Sequence, residues 1–477
     1  MKSSRIVIGS STIIAALLSM GCGDDAAEDT VEVKLGATIS RTGTSAVGTW
    51  ENALDLAAAD ASEGLKDADY PTKVRFEFKV RVADTVNDTK NTVSKGREMV
   101  SKGAKMLMVG TSSDAVALSA LAYDDDDSND IDVPIVCIAC SSPSLHNPDF
   151  VNEADPVLQA ANRNEEGWVF GLAMASTHQS QVLLNIIQDM TPQGNELGDI
   201  NGDGTVKIST VAQNDGFGTG FQNALAGKLA ATVVYEKLTF ATTEDVNDEQ
   251  VWSDIVDQLT DDETFDPATM VSVMDVEPDI VIEFAFPNFS IALVKAYAAA
   301  NKQQTFLHTH SMRERPVVIQ ADAALNGHEG TSYLPSDGVS GGMFDDHFRD
   351  VYGVRESQWD SGAYDTGFLS ALAILVASKD LDDPAKVTGE AIRDAMKTLN
   401  VEGADVIRPG RGQFAKAAKL IEKGSSINYE GASGPCDFDE NGRALNKIAH
   451  WRADNQEVED LATYDCISGP SCPRIEE

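Results

Sequence analysis

From residue 31 onward the chain alternates between short apolar runs and longer amphipathic stretches, and this alternation restricts its fold more than any other feature. Residues 33–39 and 74–82 are typical of strands, whereas 50–61 and 89–100 carry the apolar spacing of helices. A strand, a helix and a further strand in succession require a parallel sheet with helices on both faces. We therefore predict the α/β class, with Rossmann-like sheets.

The same alternation begins again in the middle of the chain. Residues 206–212 and 279–284 are typical of strands, and 217–229 and 289–300 are typical of helices. The chain beyond the leader has about 450 residues, which exceeds what one compact core usually holds. The repeat and the length together predict two similar lobes.

The first 30 residues have the composition of a targeting segment. Lys2 and Arg5 precede a run of small and apolar residues that ends in LSMGC at Cys22. This pattern describes a secretory signal that is too short to span a bilayer. We predict a lipoprotein signal peptide at 1–21, lipidation of Cys22 and an acidic tether at 22–30. The protein would be extracytoplasmic, on the periplasmic face, and anchored to a membrane only by lipid. An ordinary secretory signal with a chance cysteine is the alternative.

The charge balance restricts the partners. The 37 basic and 76 acidic residues give a net charge of −39. Such a surface repels nucleic acid and anionic lipid headgroups. We therefore expect neither as a partner.

Five cysteines follow the leader. Cys466 and Cys472 lie close together in the C-terminal segment and suit a disulfide in an oxidising compartment, although Cys436 could pair with either of them. Cys137 and Cys140 have the spacing of a redox pair but follow an apolar run, and residues three apart on a strand face opposite ways. We interpret these two first as buried, inert thiols, second as a disulfide and last as a redox site.

Four stretches, taken in order, resemble one family. They are 35–43 (LGATISRTG), 109–114 (VGTSSD), 133–145 (VPIVCIACSSPSL) and 362–368 (GAYDTGF) with the later 438–442 (FDENG). Together they resemble the type I periplasmic substrate-binding proteins, specifically the branched-chain amino acid binding family of ABC transporters. The resemblance covers roughly residues 31–452.

The resemblance implies two lobes joined by three crossings, with a ligand cleft that closes by a hinge motion. The first lobe would comprise residues 31–164 and 330–429. The second would comprise 165–329 and 430–455, and 456–477 would form a C-terminal tail.

The resemblance also implies a function. A solute-binding lipoprotein of this kind captures an amino acid or related carboxylate and delivers it to the permease and ATPase subunits of an ABC importer. It would be a monomer without catalytic activity or cofactor. An envelope scaffold or sensor that uses the same fold without transport is the alternative.

The candidate site residues of the first lobe are serines that follow strands. In parallel α/β sheets, ligands lie beyond the carboxyl ends of the strands. Ser112 and Ser113 precede a helix, so hydroxyls and free N–H groups together form an anion site for a carboxylate. Ser141 and Ser142 add hydroxyls, and by resemblance Ala139 and Ser141 hold the charged ends of an amino acid. Alternatively, these serines only shape turns and cap helices.

The candidate site residues of the second lobe are mainly aromatic. By resemblance, Asp215 and Phe217 match the loop after the first strand of this lobe, where Phe replaces the family's usual Tyr and lacks its hydroxyl. Phe284 and Phe286 match a position where the family often has an aromatic contact.

Two further positions carry charge or imidazole groups. Arg41 lies in the first loop and could pair with an acidic ligand, although a solvated arginine is the simpler interpretation. The family's acid for the ligand ammonium should follow Leu307, where this chain has His308 and His310. Their spacing is compatible with a metal, but ordinary cleft or surface histidines are favoured, and we place His310 in the site.

Residues 199–205 (DINGDGT) resemble the first half of a calcium loop. Asp199, Asn201 and Asp203 would supply oxygen ligands at every second position, but the twelfth position is Thr210 instead of an acid. A structural calcium ion and an acidic turn are both compatible with this pattern.

Overall fold

Two large, mainly parallel sheets covered by helices, together with a small two-stranded sheet, form the computed structural model of this chain. It describes residues 31–41, 47–70, 76–85, 88–122, 131–145, 161, 164–213, 216–229, 234–240, 278–299, 301, 304–334, 338–353, 357 and 359–475. The predicted signal peptide at 1–21, the lipidation site Cys22 and the tether at 22–30 lie outside this set. In the part of the chain that is described, no helix combines the length and apolarity needed to cross a bilayer.

The predicted alternation of strands and helices is confirmed. The strands are β1 (Val31–Ile39), β2 (Phe76–Asp84), β3 (Ala104–Val109), β4 (Ile135–Cys137), β5 (Val169–Gly171), β6 (Ile208–Gln213), β7 (Val234–Phe240), β8 (Ile280–Phe284), β9 (Thr305–His308), β10 (Glu329–Tyr333), β11 (Asp405–Ile407), β12 (Ile427–Tyr429), β13 (Lys447–Asp454) and β14 (Glu457–Asp465). The α-helices are α1 (Thr49–Ala68), α2 (Thr89–Ser101), α3 (Ser112–Ala122), α4 (Ser176–Met190), α5 (Gly218–Ala226), α6 (Pro287–Ala299), α7 (Arg315–Ala321), α8 (Val339–Tyr352), α9 (Asp360–Ser378), α10 (Gly389–Met396) and α11 (Arg411–Glu422).

The first sheet has the strand order β2-β1-β3-β4-β5, and every pairing in it is parallel. Strand β3 (AKMLMV) is apolar almost throughout and buried on both faces, as expected for a parallel sheet between helix layers. The carboxyl ends of β3 and β4 therefore meet at one edge of the first lobe.

Helices α1, α9 and α11 pack together beside this sheet. Helix α9 is buried along nearly its whole length because its sequence is apolar or small on all sides. Gly64 permits the close approach of α1 to α11: a Cβ added there would lie 2.8 Å from the carbonyl oxygen of Arg411. Small residues thus set the spacing of the helix layer.

The second sheet has the strand order β14-β13-β10-β9-β8-β6-β7. Strands β6 to β10 pair in parallel, whereas β13 runs antiparallel to both β10 and β14. The carboxyl ends of β6, β8 and β9 therefore form the edge of the second lobe that corresponds to the β3 and β4 edge of the first.

Sheet membership shifts the predicted lobe boundaries. Strand β5 belongs to the first sheet and β10 to the second, so the first two crossings follow residues 171 and 333 instead of residues 164 and 329. The predicted tail, 456–477, contributes β14 to the second sheet. Strand β5 has only three residues, too few to show a periodic pattern in the sequence.

A buried carboxylate of α9 holds the start of the third crossing, which follows β12. Asp365 accepts hydrogen bonds from the hydroxyl of Tyr429 at 2.6 Å and from the backbone N–H groups of Ala432 at 2.9 Å and Ser433 at 2.7 Å. Such charge-assisted bonds are strong when they are buried. Asp365 therefore attaches the departing chain to the first lobe.

The structure agrees with the interpretation of one cysteine pair and contradicts the first interpretation of the other. The sulfur atoms of Cys466 and Cys472 are at disulfide distance, as predicted, and Cys436 is a buried free thiol. The first interpretation of Cys137 and Cys140 as inert thiols is wrong, because they also form a disulfide. Strand β4 ends at Cys137 and the chain bends at once, which brings the two Cα atoms within 5.7 Å. The rule for residues facing opposite ways on a strand therefore does not apply to this pair.

This pairing predicts the reactivity of the thiols. Unfolded in denaturant without reductant, residues 31–477 should expose only the thiol of Cys436 to iodoacetamide, whereas all five of their cysteines should react after reduction. Peptide mass spectrometry locates the label. Labelling of Cys137 or Cys140 before reduction would contradict the assignment.

Candidate functional site

A cavity of about 240 Å³ lies between the two lobes. Its lining includes Trp50, Thr111, Ser112, Ala139, Ser357 and Trp359 from the first lobe, and Phe217, Phe286, His310, Ser311 and Glu314 from the second. Most of them directly follow β3, β4, β6, β8 and β9. The cavity therefore lies at the carboxyl ends of parallel strands, where α/β folds bind ligands.

The N-terminus of α3 forms one wall of the cavity. Its first residue, Ser112, lines the cavity, and its hydroxyl accepts a hydrogen bond from the backbone N–H of Ser142 at 3.1 Å. That hydroxyl still has its own proton to donate. The first backbone N–H groups of a helix have no acceptor within the helix, so this wall offers donors to an anion. Ser113, next to it, faces Gly216 across the cleft, where an added Cβ would lie 3.7 Å from its Oγ.

Burial and two hydroxyls hold the start of α3 in place. Asp114 accepts hydrogen bonds from the hydroxyls of Thr111, at 2.9 Å, and Thr92. Burial raises the pKa of this carboxyl group above its ordinary value, and the two hydroxyls partly offset the effect. The loop that presents Thr111 and Ser112 is therefore fixed from behind.

The structure separates the predicted residues of the β4 loop. Ala139 lines the cavity, but Ser141 and Ser142 are fully buried behind its wall. The carbonyl oxygen of Ser141 accepts from the N–H of Ser176 at 2.7 Å, and Ser142 donates to Ser112. These two serines connect the loop to its surroundings, and the structure does not place them among the lining residues.

Arg443, which the sequence analysis did not single out, supports this loop. Its buried guanidinium donates to the carbonyl oxygen of Ser142 at 2.8 Å, to that of Ala173 at 3.1 Å and to that of Cys140. Burial lowers the pKa of Arg443 to about 10. Only its place in the third crossing, beside the first, gives it this role, and no motif indicates it.

Aromatic rings form the wall from the second lobe. Phe217 and Phe286 line the cavity with parallel rings 5.4 Å apart. Phe284 is completely buried behind them, where it stacks on Phe221 at 5.3 Å. The structure thus places Phe217 and Phe286 at the cavity and Phe284 in the core, while Asp215 lies outside the described residues.

The two histidines after Leu307 lie in different surroundings. Strand β9 ends at His308, whose Nδ1 lies 3.2 Å from Glu283 Oε2 and whose Nε2 lies 3.0 Å from His328 Nδ1. His310 starts a 3₁₀ turn and lines the cavity instead. Within the described part of the chain, no group of His, Cys, Asp and Glu is arranged to hold a metal ion.

Glu314 and Ser357 join the lobes at the cavity. The hydroxyl of Ser357, just before α9, donates to Glu314 Oε1 at 2.9 Å, just before α7. Sequence reasoning missed both, because Glu314 is one of many acids and Ser357 has no motif. Arg41, which was predicted to lie at the site, is exposed, forms an ion pair with Glu51 and is not among the lining residues.

The side chains of the calcium-like loop accept hydrogen bonds from backbone N–H groups of the same loop. Asp199 accepts from the backbone N–H groups of Gly202 at 2.8 Å and Gly204 at 3.2 Å, and Asn201 Oδ1 accepts from the N–H of Asp203 at 2.8 Å. These bonds are what an acidic turn requires. Asp199, Asn201 and Asp203 lie away from the cavity.

Solved structures share this architecture. A leucine-binding protein, LivK, from Thermotoga maritima matches with a TM-score of 0.60 at 14% identity, over 91% of this chain and 99% of its own. LivJ from Streptococcus pneumoniae, in complex with isoleucine, matches with a TM-score of 0.59 at 15% identity, over 90% and 98%. A solute-binding protein from R. palustris, in complex with benzoate, matches with a TM-score of 0.59 at 14% identity, over 94% and 98%.

These matches show the fold. The chain has two α/β lobes of the type I periplasmic binding protein fold, as predicted from the sequence. No protein-family model and no curated protein matches the chain. The similarity thus lies in the path of the backbone rather than in the residues.

Arg443 gives a stability prediction. Arg443→Met should leave three buried carbonyl oxygens without their donor and lower the free energy of unfolding by about 3 kcal/mol. Urea denaturation followed by circular dichroism measures the change. Arg349→Met is the control: Arg349 is exposed and, among the described residues, pairs with Asp346 on α8 alone, so a change within about 0.5 kcal/mol is expected. Equal effects of both substitutions would contradict the role of Arg443.

The buried histidines give a pH prediction. Burial lowers the pKa of His308, His310 and His328 from 6.5 to about 3, and it raises that of Glu283 from 4.5 to about 8. Below pH 6.5 the histidines of the unfolded chain therefore bind protons that the folded histidines do not bind. Glu283 offsets one of these protons down to about pH 4.5, because its carboxyl group is protonated in the folded state and ionised in the unfolded state. The free energy of unfolding should fall as the pH drops from 6.5 to 5, by about 1.4 kcal/mol per pH unit for each proton.

A substitution isolates one of these protons. In His328→Gln the loss of stability per pH unit should be smaller by up to about 1.4 kcal/mol, because one protonating group is gone. Chemical denaturation at several pH values measures both slopes. A wild-type stability that is constant between pH 6.5 and 5 would contradict the prediction.

Proposed function

We propose that this protein captures a small carboxylate-bearing solute, an amino acid or a related acid, in the interlobe cavity for an ABC importer. One observation carries the proposal: the cavity lies at the carboxyl ends of both parallel sheets, with the N-terminus of α3 in its wall. Donors there can hold a carboxylate without a cationic side chain.

The structural neighbours support the same role. Those named above are a leucine-binding protein, a branched-chain amino acid transporter protein with isoleucine and a solute-binding protein with benzoate. All three are binding proteins, and two have a small carboxylate bound. They support capture without chemistry for this chain, and our proposal is a monomer that needs no cofactor.

The setting of that role comes from the N-terminal sequence. The predicted signal peptide and Cys22 support a location outside the cytoplasm, with a lipid anchor as the membrane attachment. Its partners would be the permease and ATPase subunits of the importer. Capture beside the membrane then raises the solute concentration at the permease.

A ligand screen tests the proposal. Purified protein is heated with each of the standard amino acids and with short organic acids, and binders are measured by calorimetry. A ligand that binds only the folded state raises the unfolding temperature in a concentration-dependent way. At least one carboxylate should do so, and no shift with any of them would favour the scaffold alternative.

A matched pair of serine variants tests the site. Ser112→Ala removes a hydroxyl donor from the cavity wall and should weaken binding of the identified carboxylate by about tenfold or more. Ser101→Ala removes an exposed hydroxyl at the end of α2 and should leave the affinity unchanged. Equal affinities of both variants would reject the assignment of the α3 N-terminus.

A further inference from the structure

Five rings from both lobes surround the cavity. Trp50 and Trp359 come from the first lobe, and Phe217, Phe286 and His310 come from the second. His310 contacts Phe217 edge-on, with centroids 5.5 Å apart, and Trp359 edge-on at 5.3 Å. The rings of the two lobes thus contact each other across the cleft and expose both faces and edges to a molecule bound in the cavity.

The imidazole in this ring set is neutral. Gln179 donates its amide N–H to the carbonyl oxygen of Thr331 at 3.1 Å, so its Oε1 is the atom that faces His310 Nδ1 at 3.4 Å. Nδ1 therefore carries the imidazole proton. Because His310 is buried among other rings, it acts here as an aromatic surface and does not supply a positive charge.

The lining otherwise carries little charge. Among the lining residues that the structure describes, Glu314 has the only formal charge and none is Lys or Arg. A ligand carboxylate must therefore be held by neutral donors, such as those at the start of α3. The rest of the ligand meets carbon atoms and ring surfaces.

Trp50 supplies one further donor. It is 3% exposed and lines the cavity, and its indole Nε1 has no hydrogen-bond acceptor among the residues that the structure describes. The benzo edge of the indole faces Gly110, where an added Cβ would lie 2.8 Å from Cζ3, so Nε1 is on the edge directed away from that backbone. A buried donor without an acceptor is costly, and an acceptor on a bound ligand would remove that cost.

We infer that the cavity selects small carboxylates whose apolar part is an aromatic ring, and that Trp50 is a specificity-determining residue that donates its indole N–H to them. This inference rests on the proposed function. A volume of 240 Å³ equals that of roughly eight water molecules, which suits a phenyl ring on a short acid chain. The faces and edges of these rings favour a flat aromatic guest over a saturated one of equal size.

Matched ligand pairs test the inference by isothermal calorimetry. L-phenylalanine is compared with L-cyclohexylalanine, and 3-phenylpropanoate with 3-cyclohexylpropanoate, so that only the aromaticity of the ring differs within a pair. The aromatic member should bind about tenfold more tightly in at least one pair. The pair that shows the effect tells whether an α-amino group is also needed.

Two variants identify the residues responsible. Trp50→Phe keeps a ring and removes the N–H, so it should weaken both members of a pair by a similar factor of about ten. Phe286→Leu keeps the apolar surface and removes a ring, so it should abolish the preference for the aromatic member while the saturated member still binds. Unfolding temperatures without ligand show that each variant is folded.

The outcomes separate this inference from the proposed function. If aliphatic amino acids such as L-leucine bind while neither aromatic member exceeds its saturated partner, the inference is wrong and the proposed function stands. If Trp50→Phe binds as tightly as the wild type, the role of Trp50 is wrong. If no carboxylate binds at all, both proposals are wrong.

Discussion

The guanidinium of Arg443 is the contact on which the arrangement of the cleft most depends. It joins the third crossing to the carbonyl oxygens of Cys140 and Ser142, at the end of the β4 loop, and to Ala173 in the first crossing. A buried cation needs such partners, since burial without them is unfavourable. These hydrogen bonds therefore fix the loop that carries Ala139 relative to the first and third crossings, two chain segments about which the lobes would move.

The two lobes contribute different chemistry to the cavity. The first presents hydroxyls and helix N–H groups beside the indole of Trp50, whereas the second presents mainly rings and the carboxylate of Glu314. A guest with an acidic end and an apolar end would contact both lobes at once. Such a division lets binding energy favour the closed arrangement, because a ligand shifts a conformational equilibrium only by its differential affinity for the two states.

Some features could be predicted from local pattern and others could not. Ser112 and Ala139 follow buried strands, so their position at the cavity edge follows from the α/β rule. Ser141 and Ser142 have the same hydroxyls but lie behind the wall, because the disulfide of Cys137 and Cys140 and the following turn redirect the chain. Trp50, Glu314 and Ser357 are far apart in sequence, and only the folding and packing of the two lobes brings them to one cavity.

By itself the sequence determined the two α/β lobes and the strand ends at which a ligand would lie, and it favoured the Cys466–Cys472 disulfide without excluding Cys436, because these depend on periodicity and short spacing. Only the tertiary structure decided which side chains reach the cavity. That outcome depends on bends of a few residues and on contacts between distant segments, such as Ser357 with Glu314. Neither leaves a periodic trace, so a ring or a buried arginine acquires its role only when the chain has folded around it.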